Sequence, residues 1–362
     1  MTNTVPRLIN LMISTDPRGQ GGVASVVTAM MADPFAQRWH IRLVPSHREG
    51  SKLLMLWLFI RALTLVLFYR MQGSPGIAHI HMASRGSFSR KYILAKWAKF
   101  LDFRVLVHLH GAQFDEFYLN ECLPSKQRRI AELFNMADKT VVLGDKWFAW
   151  VKQTFPSVNK LQIVYNPGPR DLLERQPSIN PTLLFLGRLG ERKGVHDLIA
   201  ALPTVLAEIP DLRVVLGGDG DASRFSQQAL AAGVLGSIEF AGWIGKERKF
   251  QLLATCSAYV LPSYNEGFPV GIIEAMAAGI PIVASNVGGI PDAISDQQEG
   301  LLIPAGDVTA LANAIIRVLS EQELACRLAN NALVKFQREF SCGSIMPQWQ
   351  QIYEDLLSDR RN

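Results

Sequence analysis

Short apolar runs alternate along this chain with longer stretches of helical periodicity. RLINLMIS (7–14), HIRLVPS (40–46), GIAHIHMA (76–83), FRVLVHLHG (103–111) and KTVVLG (139–144) predict strands in the first half. TLLFLGRL (182–189), LRVVLGGDG (212–220), SIEFAGW (237–243), AYVLPS (258–263) and IPIVAS (280–285) repeat the rhythm in the second. Strands that are apolar throughout, rather than at every other position, belong to parallel sheets covered by helices on both faces. Two such series predict two Rossmann-like α/β domains. The Pro-rich polar segment NPGPRDLLERQPSINP (166–181) is the expected linker. Ligands of such sheets bind beyond the carboxyl ends of the strands, so the expected site is a cleft between the two domains.

One helical stretch departs from the amphipathic norm. KLLMLWLFIRALTLVLFYR (52–70) is apolar nearly throughout, with Arg61 at its middle. A buried domain helix and a membrane span are both open; the central Arg argues against a span. The favoured expectation is a helix lying in a membrane surface, with Lys52, Arg61 and Arg70 reaching toward the headgroups.

Charge sharpens that picture. Residues 1–175 carry 23 Lys and Arg against 12 Asp and Glu; the remainder carries 14 against 20. A basic first half suits an anionic partner: lipid headgroups, a phosphorylated acceptor or, in principle, nucleic acid. Four cysteines without a C-x-x-C pair point to neither a zinc ribbon nor a redox motif and fit a reducing cytosol. MTNTVPRLINLMIS lacks the basic start, long apolar run and cleavage site of a signal peptide.

Candidate chemistry concentrates in the second half. In FLGRLGERKG (185–194), Arg188 and Lys193 follow a strand end, and a fork donor plus a point charge suits a diphosphate. In YNEGFPVGIIEAMAAG (264–279), Gly267 frees the backbone and Pro269 opens a helix, whose first amides make an anion site. Glu274 sits in an apolar run, where a carboxylate is costly unless paired. A ribose diol, or water in its place, would satisfy it, with Glu266 at the other end of the same ligand. Solvated turns and a wet helix face are the plainer alternatives.

In the first half, DPRGQGGVASVV (16–27) could bring the amides of Gly19, Gly21 and Gly22 against a phosphate. A dinucleotide fingerprint fails there, because the G-x-G-x-x-G spacing is not met and no acid closes the second strand. His79 and His81, then His108 and His110, fall on strands at i, i+2 spacing, which places each pair on one face. A metal site is one reading and buried hydrogen-bonded pairs the other; the absence of acids beside 79–81 favours the latter.

The ordered combination of FLGRLGERKG with LPSYNEGFPVGIIEAMAAGIPIVASNVGGIPDAI (261–294) resembles the donor-binding half of the retaining glycosyltransferases of family 4. That resemblance implies the GT-B fold, an α/β architecture of two Rossmann-like domains facing across a cleft. The divisions expected are an acceptor domain at 1–170, a nucleotide-sugar domain at 171–345, and a terminal helix at 346–362 packing back on the first. It implies that Arg188 and Lys193 hold a donor diphosphate, with Glu266, Gly267, Phe268 and Val270 around the sugar. Glu274 would take the ribose hydroxyls, Ile244 pack on the base, and GGDG (217–220) adjoin it. His110, in HLHGAQFDEF (108–117), would face the sugar, and Gly21 and Gly22 the phosphates. HMASRGSFSRK (81–91) would be an acceptor loop, with Arg85, Arg90 and Lys91 available for a phosphate of a lipid-linked acceptor.

The expected reaction transfers a sugar from a nucleoside-diphosphate sugar to a glycan or polyprenyl-diphosphate-linked acceptor with retention, without cofactor or metal. The departing phosphate takes the acceptor's proton. The expected setting is the inner face of a bacterial membrane, in exopolysaccharide or lipopolysaccharide synthesis, with no nucleic acid partner. The rivals are a glycosidase using Glu266 and Glu274, and a non-catalytic nucleotide-sugar-binding protein at the membrane.

Overall fold

The computed structural model describes residues 8–19, 21–170, 174–176 and 178–358. The chain divides into two compact units, residues 1–167 with 345–362, and residues 168–344. Part of the expected linker (171–173 and 177) lies outside the described residues.

The first unit holds a parallel sheet of β1 (Leu8–Ser14), β2 (Ile41–Pro45), β3 (Ser74–Met82), β4 (Arg104–Leu109), β5 (Lys139–Val142) and β6 (Leu161–Ile163). Their spatial order is β2-β1-β3-β4-β5-β6. The second unit holds β7 (Thr182–Leu186), β8 (Arg213–Gly217), β9 (Ile238–Gly242), β10 (Ala258–Leu261), β11 (Ile282–Ser285) and β12 (Leu301–Ile303). Their order is β12-β11-β10-β7-β8-β9, also parallel. The short edge strands β6 and β12 carry too few apolar residues to stand out in the sequence.

Strand order positions the chemistry. In each sheet the winding reverses once: between β1 and β3 in the first, between β7 and β10 in the second. At such a point two neighbouring loops leave in opposite directions and open a crevice at the carboxyl ends. The loops after β1 and β3, and those after β7 and β10, carry most of the candidate residues; His110 follows β4 and Ile244 follows β9.

Helix Cys342–Ser358 ends the chain on the first unit, where Trp349 and Tyr353 are fully buried. The Tyr353 hydroxyl meets His79 Nδ1 at 3.2 Å, so the last helix covers the end of β3.

Helix Lys52–Gln72 is not the core helix that its composition allowed. It buries only Leu58, Ala62 and Val66, a single line at i, i+4 spacing. The helix is tied to the neighbouring helix Gly86–Phe100 and its C-cap: Trp97 Nε1 donates to Leu63 O (3.1 Å), and Arg70 Nε donates to Leu101 O (3.2 Å). Leu53, Leu56, Trp57, Ile60, Leu67, Phe68 and Met71 form a second line on the exposed side. The helix is long and apolar enough to cross a membrane by length and composition.

Candidate functional site

The second unit brings Arg188, Lys193, Glu266 and Glu274 to its β7/β10 reversal. Glycines make this approach possible. Gly194 has φ +68°, and a Cβ there would lie 1.9 Å from the Pro262 carbonyl oxygen. The turn Glu191–Lys193 therefore rests directly on the chain leaving β10. Tyr264 N donates to Arg192 O (2.8 Å) and Arg192 Nη1 to Asn265 O (2.7 Å), which tie the two loops together.

Glu266 is buried at this junction. Its Oε1 accepts from Lys193 Nζ (2.5 Å) and from the Ser263 hydroxyl (2.6 Å). Arg192 stands 3.9 Å from the other oxygen. Lys193 is therefore paired with Glu266, a partner the sequence did not suggest. Ser263 and Arg192 were missed; their only sequence signal was proximity to the named motifs. Behind Glu266 lies the Gly288–Gly289 turn. A Cβ on Gly288 would lie 2.0 Å from Glu266 O, and one on Gly289 2.0 Å from Gly267 O.

Helix Val270–Ala277 begins just beyond, with no side-chain cap and no acid in its first turn. Ile272 N already donates to Pro269 O (3.1 Å), whereas the amides of Val270 and Gly271 have no carbonyl one turn back, and the helix dipole favours an anion there. Val270 opens it; Phe268 is turned inward against Phe340, ring centroids 5.4 Å apart.

Glu274 is buried, and its partner is Lys249 of helix Lys246–Thr255. An ammonium group thus meets the carboxylate, a partner beyond the ribose diol or water that the sequence suggested. Burial still pushes the Glu274 carboxyl above its ordinary value, with Lys249 pulling the other way. Lys249 lies in the same GKERKF stretch that holds the base-side loop, 25 residues before its partner, and no local pattern links the two.

Arg188 stands apart from this dense network. Its side chain is 66% exposed and lies 3.5 Å from Asp219. Its loop runs beside 217–219 through Gly187 N to Gly217 O (2.8 Å) and Leu189 N to Asp219 O (2.6 Å). Ile244 packs on Gly217, where a Cβ would meet its Cδ1 at 2.3 Å. The β7/β8 loops and the Ile244 segment thus form one wall.

The first unit has its own constellation. Gly21 caps helix Gly22–Ala32 at φ +108°, without a side-chain cap or a first-turn acid. Asp16 is buried and paired with Arg18 through Nη2 (2.8 Å) and Nε (3.1 Å), which holds its carboxyl below the usual range. Gln20 lies outside the described residues.

The four histidines pair across strands, because β3 and β4 run in register with His81 opposite His108. His79 Nε2 meets His108 Nδ1 at 3.3 Å, and His81 Nδ1 meets His110 Nε2 at 2.8 Å. The ring nitrogens of His79, His81 and His108 lie within 4.8 Å of one another, close enough to consider a metal ion. Burial pushes His79 and His110 down to about 3, so the rings are neutral near pH 7. His81 Nε2 and His108 Nε2 are buried without a partner. Of the expected acceptor cations, Arg85 leaves the group: it forms a bidentate pair with Glu121. Lys91 reaches the Ser46 hydroxyl just after β2, and Arg90 acts electrostatically on His47 beside it.

Residues 174–334 match the family model described as glycosyl transferases group 1. Glycogen synthase of Mycobacterium tuberculosis is 35% identical over 181 residues, 49% of this chain and 44% of that protein. Phosphatidyl-myo-inositol mannosyltransferase of Mycolicibacterium smegmatis is 31% identical over 187 residues, 51% and 48%. The lipopolysaccharide core biosynthesis glycosyltransferase LpsE of Rhizobium meliloti is 32% identical over 177 residues, 49% and 50%. The matched stretch spans about half the length of these relatives. Among solved structures, sucrose-phosphate synthase from Thermosynechococcus elongatus superimposes with TM-score 0.81 at 21% identity, covering 98% of this chain and 100% of that one. Anabaena HepE in complex with UDP and glucose gives 0.72 at 20%, covering 97% and 99%. These likenesses bear on the fold, which is GT-B, the fold class expected above.

Proposed function

Starting from a second unit that belongs to the glycosyl transferases group 1, we propose that the chain transfers a sugar from a nucleoside-diphosphate sugar to a bacterial surface-glycan acceptor. The observation that carries this reading is the grouping of Arg188, Lys193, Glu266 and the Lys249–Glu274 pair around the β7/β10 reversal. Arg188 swings from Asp219 onto the diphosphate. Lys193, aimed by Glu266, adds a fixed positive charge, and the first amides of helix Val270–Ala277 complete the anion cradle. Ribose hydroxyls share Glu274 with Lys249, and Ile244 covers the base.

In the reaction the bond between the anomeric carbon and the donor phosphate oxygen breaks. The acceptor oxygen bonds to that carbon from the same face, and its proton passes to the departing phosphate. No separate base is called for, and charge on the leaving group is met by groups already in place. The hydrolase alternative needs Glu274 as an acid with access to a glycosidic bond. Glu266 and Glu274 are instead each paired with a lysine, Lys193 and Lys249, which favours the ionised carboxylate over a proton-donating acid. HepE, crystallised with UDP and glucose, supports a nucleotide-sugar donor by analogy of fold alone.

Binding is tested by calorimetry with uridine, guanosine and adenosine diphosphates. One of them should bind, and Arg188→Ala should weaken it at least tenfold; no binding by any of them overturns the reading. Loss of transfer in folded Glu266→Gln and His110→Ala would support their roles near the sugar. Product anomer analysis by NMR decides retention.

The exposed line of helix Lys52–Gln72 supports an acceptor held at a membrane. Seven large apolar side chains face outward along it, and Arg61 lies over the Trp57 ring at 5.7 Å. Its opposite face is packed on the first unit, so it would lie in the interface of an anionic bilayer rather than cross it. Sedimentation with vesicles of anionic lipid tests this: Leu56→Ser/Trp57→Ser should abolish binding, and equal binding by that variant would exclude this docking face.

A further inference from the structure

Three basic side chains meet at the carboxyl end of the first sheet with no acid among them. Lys91, from helix Gly86–Phe100, is 2% exposed, and its Nζ reaches the Ser46 hydroxyl just after β2. That hydroxyl is itself committed as a donor to Ser14 O (2.9 Å). An ammonium group has three hydrogens to place, and among the described residues only this contact is made. Arg90 Nε and His47 Nδ1 are both buried and without a partner. The Arg90 guanidinium folds back over its own helix's first turn, with Nη1 3.1 Å from where a Cβ on Gly86 would stand.

Electrostatics agrees with this geometry. Burial drives Lys91 well below its ordinary value, and Arg90 pushes it further down. His47 is lowered to about 4 by burial and by both neighbouring cations. No carboxylate offsets any of the three. Asp16, the acid of the adjoining loop, is engaged by Arg18 and stands 3.8 Å from Arg48. A buried cation without a counter-ion is unfavourable; here two neighbouring cations, Lys91 and Arg90, share that defect beside the neutral, unpartnered imidazole of His47. The first turns of helices Gly22–Ala32 and Gly86–Phe100 contain no acid either.

We propose that Lys91, Arg90 and His47 form a binding site for a phosphate ester or diphosphate, the anionic group of the sugar acceptor. Assignment to the acceptor rests on the transfer function proposed above; the anion site itself does not. A dianion would accept from the Lys91 ammonium, the orphaned Arg90 Nε and His47 Nδ1, and give the two cations a counter-charge. Loop 46–50 joins this cluster directly to helix Lys52–Gln72, so a phosphate on a lipid carrier and one on a soluble sugar are both within the chemistry.

The test is thermal denaturation of the full chain in phosphate-free buffer and with inorganic phosphate, using Arg188→Ala as the background to silence the donor site. Phosphate should raise Tm, and adding Lys91→Met should abolish that rise. Lys91→Met should also melt higher than its parent without phosphate, because a buried uncompensated ammonium is gone. If Lys91 merely bridges to Ser46 for stability, Lys91→Met melts lower and phosphate does nothing to either protein; that result overturns the proposal. Should Lys91→Met fail to fold, Arg90→Gln is read by calorimetry: phosphate affinity should fall at least fivefold, and unchanged affinity overturns it. In the chain with Arg188 intact, nucleoside-diphosphate binding should be the same with and without Lys91→Met, which separates failure here from failure of the transfer reading. Competition by decyl phosphate in micelles and by glucose 1-phosphate assigns the lipid or the soluble source, according to which displaces phosphate more strongly.

Discussion

Replacing Lys249 by Met should damage the second unit more than replacing its partner Glu274 by Gln. Glu274's side chain is 11% exposed and Lys249's 22%. Lys249→Met leaves an ionised carboxylate buried with no counter-charge, a loss of about 3–5 kcal/mol for a broken buried pair. Glu274→Gln leaves a neutral amide inside, and the more exposed ammonium can turn to water, at a cost of about 1–2 kcal/mol. The pH dependence carries the sharper test. Glu274 is already raised above its ordinary value of 4.5 in the folded chain. Between 4.5 and the raised value the folded state holds a proton that the unfolded state has released. Stability from this group is therefore complete below pH 4.5 and declines as pH rises through the folded value. Removing Lys249 raises that value further and steepens the decline. Urea denaturation from pH 5 to pH 8, following the second unit's transition, should show the Lys249→Met deficit growing with pH. Glu274→Gln should show no such slope, and the pair replaced by Met and Leu should recover most of the loss. A Lys249→Met deficit that is absent, or equal at both ends of the range, would refute the pairing argument.

Three further outcomes follow from the same geometry. Gly194→Ala forces a side chain at φ +68° into the Pro262 carbonyl, and should lower stability by about 3 kcal/mol or more in thermal melts. Arg188→Ala removes a largely exposed side chain, so its melting curve should match wild type within about 0.5 kcal/mol even though nucleotide binding is lost. His79 behaves oppositely to Glu274: burial holds it neutral down to about 3, so its contribution is complete above pH 6.5 and lost as pH falls toward that value. By linkage this costs up to about 2 kcal/mol at pH 5, and His79→Phe should flatten the acid limb of the first unit's stability curve.

The fold was largely legible because parallel strands buried on both faces write themselves as continuous apolar runs. Ten such runs mark ten of the twelve strands. The missing β6 and β12 are three-residue edge strands whose identity depends on having a neighbour to pair with. At the candidate site, Arg188, Glu266 and the helix opening at Val270 could be named from local chemistry, since each sits where a strand or turn ends. What Glu266 and Glu274 touch could not be named.

The sequence by itself determined the element types, the division into two α/β units, the glycines that permit close turns, and a carboxylate placed where apolar neighbours surround it. All of these are local: periodicity, backbone freedom and side-chain polarity act over a few residues. Only the tertiary structure decided that Lys193 meets Glu266 from 73 residues away, that Lys249 meets Glu274, and that Lys91 reaches Ser46. It also decided that the histidines pair across β3 and β4 rather than along them, and that one apolar face of helix Lys52–Gln72 stays uncovered. Those partners lie on loops, strands and helices brought together by sheet order and register. Many arrangements of the same elements satisfy the local pattern equally well, and packing of the whole unit selects one.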